Sequence, residues 1–213
     1  HAAGGGRLVL LLIGVDLAIG PLLTLVVFKA GKRGLKFDLV VIAAVQLGAL
    51  IYGLMVITES RPALVVATAH RFAVVPANAI PAEKLAQAPQ PELRRMPWFG
   101  PKLISAQVPD DPVAKKEIME AAMLGVDLEQ MPKYYGPIEA IAEPLKHNAR
   151  PLDQLVAQNP ESNGPIIDAA LSRLGRSRDR VGFLPLMAPR AELVMLVDLD
   201  TGRPLAPLDI TST

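Results

Sequence analysis

Two long apolar runs open the chain. Leu8–Phe28 and Phe37–Ile57 are each 21 residues long, and each carries one charge, Asp16 in the first and Asp38 in the second. At about 1.5 Å rise per residue, each run makes a helix of roughly 31 Å, enough to cross the core of a bilayer. A buried core helix passes the same length test. Two such runs in succession, joined by a short basic loop, favour a membrane hairpin instead. The loop, Lys29–Lys36, reads KAGKRGLK, with four basic residues and no acidic one. The positive-inside rule puts it in the cytoplasm and both chain ends on the far side. The sequence opens on HAAGGG, so something upstream is expected to carry that end outward. A removed signal peptide would do so; a further membrane helix is the preferred version.

From Arg61 onward the pattern changes. Short apolar segments replace the long runs, and all but one of the 20 prolines fall here. ALVVAT (63–68), RFAVV (71–75) and KLISAQV (102–108) read as strands. The Pro/Ala/Gln-rich stretch 78–96 reads as a loop with a short helix. Asp110-Asp111-Pro112 supplies a cap and a first-turn proline, and Gly125 a stop. Between them Ile118, Met119, Ala122 and Met123 form an apolar stripe. A second helix is expected near Pro165–Leu174, where Ile166, Ala170 and Leu174 fall at i, i+4 and i+8. Asn163 is its expected cap and Gly175 its stop. A shorter helix is expected around Pro151–Gln158. The chain ends in strands: VGFLPLM (181–187), then ELVMLVDL, a turn at Asp200–Arg203, and PLAPLDI.

Strands, then helices, then strands predict an α+β domain with an antiparallel sheet shared by both strand groups. The expected architecture is therefore a membrane α-helical hairpin followed by an α+β domain on the far side of the membrane, which for a bacterial inner membrane is the periplasm. Residues 1–60 form the transmembrane region, with helices near 8–28 and 37–57, and residues 61–213 the folded domain.

Composition removes several function classes. Lys and Arg number 22 against 21 Asp and Glu, and a chain so near neutral is not built for nucleic-acid phosphates, which call for a basic face. The chain has no cysteine, which excludes disulfides, thiolate catalysis and thiolate metal sites. His1, His70 and His147 show no ligand spacing. Asp198-x-Asp200-x-Gly202 lacks the later bidentate Glu of a calcium loop and reads as a hairpin turn. No metal or cofactor is expected. A phosphate-binding glycine loop and a Ser/His/Asp set are both missing from the sequence. Asp16 and Asp38 raise the question of an intramembrane aspartyl dyad. Straight antiparallel helices place them about 16 Å apart in depth, whereas a shared proton needs about 3 Å. The chain is not expected to be an enzyme.

Binding is what remains. An ionised Asp16 deep in a bilayer costs about 2.5–3.5 kcal/mol on insertion scales, so it is expected to have a partner or to be neutral. Gly20 and Thr24 continue a small, polar strip on its face. That strip either pairs internally, with Gln46 or the missing helix, or docks a helix of another protein. Ala44-xxx-Gly48 and Ala49-xxx-Gly53 allow close backbone approach, within the chain's own bundle or to a partner. Aromatics are only 4% of residues, yet Trp98–Phe99 and Tyr134–Tyr135 cluster. Each cluster is either a partner anchor or a core plug under a loop.

Several segments carry a family resemblance. They are GVDLxxGPLLTL from Gly14, FDLxxIAxxQ from Phe37, Arg61-Pro62, PWFGP (97–101), MPKYYGP (131–137), NARPLDQL (148–155) and the C-terminal FLPLMAPRAELVMLVDLDTGRPLAPLDI. Together they resemble the TfpX/TfpZ family of type IV pilin accessory proteins over nearly the whole chain. The resemblance implies a bacterial inner-membrane protein with a further N-terminal membrane helix. It implies a non-enzymatic accessory factor or chaperone, partnered by a type IV pilin and the lipid bilayer. One departure is that Ala69-His70 stands where the family leads one to expect an acidic residue before Arg71-Phe72. The alternative function is a membrane-anchored periplasmic sensing or ligand-binding module.

Overall fold

The computed structural model describes residues 14, 35–188 and 191–210. The chain divides into two units with the boundary between Arg61 and Pro62.

In the first unit the described helix is α1, Leu35–Glu59, of 25 residues. Its Val40–Glu59 portion is long and apolar enough to cross a membrane. Phe37, Val40, Val45, Ile51, Tyr52 and Met55 are exposed. Apolar side chains all round a helix suit lipid rather than water. The half-buried positions Ile42, Gln46, Leu50, Gly53 and Ile57 recur at helical spacing and mark one face.

The expectation of a two-helix membrane hairpin is corrected here. Among the described residues one helix is membrane-capable, and the span expected near 8–28 lies outside them. The physical reason is that an apolar run establishes capacity to span, not pairing. Lipid and a neighbouring helix are equally apolar, so hydropathy does not choose between them.

The second unit is built on a sheet. Its strands are β1 (Pro62–Ala67), β2 (Phe72–Pro76), β3 (Lys102–Ala106), β4 (Tyr135–Gly136), β5 (Arg150–Pro151), β6 (Val181–Ala188), β7 (Ala191–Asp198) and β8 (Pro204–Asp209). The order is β4-β3-β1-β2-β6-β7-β8, with β5 also on β6. The expected antiparallel sheet is corrected to a mixed one, because β1 pairs β3 and β2 pairs β6 in parallel. Each parallel pair is separated by a long intervening segment, 68–101 between β1 and β3 and 77–180 between β2 and β6. Such lengths permit crossovers, whereas short loops force antiparallel neighbours. The β2–β6 pairing joins the two strand groups into one sheet.

Strand alternation sends side chains to opposite faces. Ala67, Phe72, Leu184, Leu186, Met195 and Val197 pack with Ile141 and Leu145 on one face. Leu145 belongs to α4, Ala142–Asn148. On the other face, Val181, Phe183, Val194 and Leu196 pack under α5 (Asp153–Gln158) and α6 (Pro160–Leu174). Leu64, Val66, Val75 and Ile104 on that face are covered by Ile80, Leu85 and Leu93. Leu85 ends α2, Ala82–Leu85. Pro204 and Pro207 on the edge strand β8 withhold amide donors and discourage edge pairing.

Local chemistry sets the helix ends. α3, Pro112–Met123, begins as read, with the Asp111 carboxylate accepting from the Ala114 amide at 3.0 Å. α6 starts earlier than expected. Its cap is Asn159, which accepts from the Ser162 amide at 3.3 Å, with Pro160 in the first turn. Asn163 is buried within the helix and donates to the Leu155 carbonyl at 2.8 Å, tying α6 to α5. Gly175, at φ +62°, ends α6 in the left-handed region.

Candidate functional site

The β1–β2 connection, Thr68-Ala69-His70-Arg71, is a tight turn. The Thr68 amide donates to the Arg71 carbonyl at 2.8 Å and its hydroxyl does so at 3.1 Å. This presents the Arg71 side chain to a single helical turn at Leu128–Gln130, whose Glu129 is buried. Arg71 Nε donates to Glu129 Oε1 at 2.6 Å and Nη2 to Oε2 at 3.2 Å. Asp127 Oδ1 lies 3.3 Å from the same Nη2. The planar guanidinium fork matches the carboxylate, a geometry that a lysine cannot reproduce. The Glu129 side chain is 3% exposed and that of Arg71 39%. Hydrogen bonding to Glu129, aided by both acidic charges, outweighs burial and holds Arg71 above its ordinary pKa.

Tyr135 of β4 braces the turn by donating its hydroxyl to the Glu129 carbonyl at 2.6 Å. Burial, and next the Glu129 charge, pushes its phenol well above the usual range.

Two cavities meet at this ion pair. The larger, ≈ 660 Å³, is lined by Thr68, His70, Arg71, Val108, Ile141 and Pro144 among others. Its size falls in the range that small ligands or a few peptide side chains occupy. The smaller, ≈ 240 Å³, lies along β2 and includes Ala73, Val75, Gln130 and Met187. Both have Arg71 and Glu129 in their walls. The chemistry is that of a binding cleft: an apolar wall, a satisfied ion pair and the exposed His70 at the rim. Among the described residues no cluster of His, Asp or Glu is arranged to hold a metal.

The residues singled out from the sequence are dispersed. Asp16, Gly20 and Thr24 lie outside the described residues. Gln46 and Gly53 share the half-buried face of α1, whereas Gly48 is exposed and a Cβ there would meet nothing within 4 Å. Trp98 and Phe99 sit on the loop before β3, 73% and 96% exposed. The two tyrosines part company. Tyr135 is core, while half-buried Tyr134 points its hydroxyl at Glu117 of α3 at 3.4 Å, with Lys133 Nζ 4.9 Å from its ring centre. α3 has no buried residue, and Val113, Met119 and Met123, with Leu124 just beyond, are exposed. The Arg71–Glu129 pair escaped the sequence reading. Its members are 58 positions apart, and the one local signal was a basic residue opening an apolar strand.

No family model matches the chain, and no solved structure matches it. Curated relatives do match. It is 31% identical over 199 residues to a fimbrial assembly protein of serogroup I from Dichelobacter nodosus. It is 30% identical over 199 residues to a fimbrial assembly protein of serogroup E1 from the same organism. Both alignments cover 92% of this chain and 77% of the relative.

Proposed function

The chain belongs to the family of these fimbrial assembly proteins, and from that membership we propose that it is a membrane-anchored accessory factor for type IV pilin within the TfpX/TfpZ group. The observation that carries the reading is the coincidence of two features. The family likeness extends across 92% of the chain, and the folded domain follows directly on a membrane-capable helix. In this reading α1 anchors the protein in the bacterial inner membrane. The basic segment Lys29–Lys36 stays in the cytoplasm and the domain from Pro62 lies in the periplasm.

The mode of action is binding, not catalysis. A pilin subunit awaiting assembly exposes apolar surface that a chaperone can shield. The exposed Met119–Met123 face of α3 and the cleft at Arg71 offer two surfaces of suitable character. In cells that make pili, removing the gene should reduce surface pili without reducing pilin message. Full-length tagged protein, extracted in mild detergent, should carry pilin with it. Normal piliation in the deletion strain would refute the reading.

The ≈ 660 Å³ cleft also supports a second reading, a membrane-anchored ligand-binding or sensing module. Native mass spectrometry of the purified full chain separates the two. A stoichiometric small molecule favours sensing, and a pilin adduct favours the accessory role.

A further inference from the structure

We propose that the loop 94–101, with Trp98 and Phe99 at its tip, is a second membrane contact that lays the folded domain against anionic lipid headgroups. The inference rests on the reading of α1 as a membrane anchor and adds to it a contact made by the other unit.

The residues on this loop are Arg94, Arg95, Met96, Pro97, Trp98, Phe99, Gly100 and Pro101, and Lys102 opens β3 directly after it, giving three cations with no acid among them. Both aromatic rings are mostly exposed, Phe99 almost entirely. Aromatic side chains on a folded domain are normally buried, because each removes a large apolar area from water. Placing two adjacent ones at a loop tip calls for an occupant. Trp with neighbouring basic residues is the composition that settles at a bilayer interface, where the ring takes the headgroup level and the cations meet anionic lipid.

The fold positions the tip for this. Pro62 opens β1 three residues after Glu59 ends α1. Covalent reach alone therefore keeps the start of β1 within about 10 Å of the helix end. β3 runs parallel to β1, with Lys102 beside Leu64. The loop that feeds β3 thus arrives at the end of the sheet where the chain enters β1 from α1. Its tip is pre-shaped: Gly100 adopts φ +58° between Pro97 and Pro101, and Arg94 Nε donates to the Ala88 carbonyl at 3.0 Å, fixing the loop's start. A stiff tip loses little conformational freedom on insertion.

Trp98 is the chain's one tryptophan, so its fluorescence reports this loop alone. The full chain is reconstituted in vesicles of phosphatidylethanolamine and phosphatidylglycerol, with spin labels placed either near the headgroup or near the chain ends. The expected result is blue-shifted emission, quenching that is stronger from the shallow label than from the deep one, and poor quenching by aqueous iodide. Phe99→Ser, at an exposed position, should reduce the shallow-label quenching while leaving the protein folded. Water-like emission with full iodide access and no lipid quenching overturns the proposal and returns the tip to solvent or a protein partner. Flotation with the vesicles after alkaline carbonate tests the anchor separately. Flotation without lipid quenching removes the loop contact and keeps the anchor. Failure to float removes both.

Discussion

Arg71→Ala should destabilise the folded domain far more than Glu129→Gln, although the two changes delete opposite ends of one ion pair. The asymmetry follows from burial. Glu129 is 3% exposed and Arg71 39%. Removing the arginine strands a carboxylate in the interior, whereas removing the carboxylate charge leaves a guanidinium that reaches water and keeps Asp127 at 3.3 Å. Breaking a fully buried pair costs about 3–5 kcal/mol and an exposed pair at most about 1 kcal/mol. A pair with one buried and one half-exposed member falls between, so Arg71→Ala should cost about 2–3 kcal/mol. Glu129→Gln keeps the shape and one acceptor and should cost about 1 kcal/mol. Arg71→Lys should lie between, since an ammonium supplies charge without the fork. The assay is pulse proteolysis of the full chain in detergent across a urea series. With a slope of about 2 kcal/mol per molar, the Arg71→Ala midpoint should fall by about 1–1.5 M and the Glu129→Gln midpoint by about half a molar. Equal losses, or a larger loss for Glu129→Gln, would refute the role of Arg71 as the counter-charge to a buried acid.

Other predictions follow from the same structure. Gly202→Ala should destabilise strongly, because a Cβ there would lie 2.2 Å from the Ala142 carbonyl oxygen at φ +69°. Gly175→Ala, also left-handed but with nothing within 4 Å, should cost only about 1 kcal/mol, and equal urea midpoints for the two would refute the contact. Asp198 is buried, accepts from the Asp200 and Thr201 amides at 2.9 Å each, and has Arg176 Nη2 2.9 Å from its Oδ2. Burial pushes its carboxyl up, but these amides, the Thr201 hydroxyl and Arg176 together hold it below the usual range. Its contribution is therefore complete at neutral pH and is lost as the pH falls below about 4 through the folded value. Asp198→Asn should lower stability at pH 7 and flatten the acid limb of the stability curve; an unchanged acid limb would count against it. Because the chain lacks cysteine, single introduced thiols report sidedness. Ser177→Cys should react with an impermeant reagent in spheroplasts and Gly31→Cys should not, and the reverse pattern would overturn the proposed orientation.

The strands β1, β2, β3 and β6 to β8 were legible because each is a short apolar run bounded by turn residues. The caps Asp111 and Gly175 were legible because capping is local. The pairing was not. Nothing in ALVVA or RFAVV specifies a parallel neighbour, since register and direction depend on segments tens of residues away. The two-residue strands β4 and β5 are too short to carry a pattern. α6 was placed late because Pro165 resembled a start, while Pro160 provides the actual first turn. The Arg71–Glu129 pair had the same difficulty as the sheet, a contact across 58 positions with no spacing rule to announce it. The Trp98–Phe99 and Tyr134–Tyr135 clusters were both visible in the sequence, but only burial distinguishes an exposed tip from a core tyrosine.

The central claim, that this protein handles pilin, is tested most directly by photocrosslinking in living cells. A photoreactive amino acid is placed at His70 on the cleft rim, at Met119 and Met123 on α3, and at Gly48 on α1. Adducts are isolated from native membranes and identified by mass spectrometry. The account predicts a pilin adduct from at least one of these positions, lost when the pilin gene is deleted. Abundant, correctly inserted protein that yields no pilin adduct from any of them, in cells assembling normal pili, would contradict it.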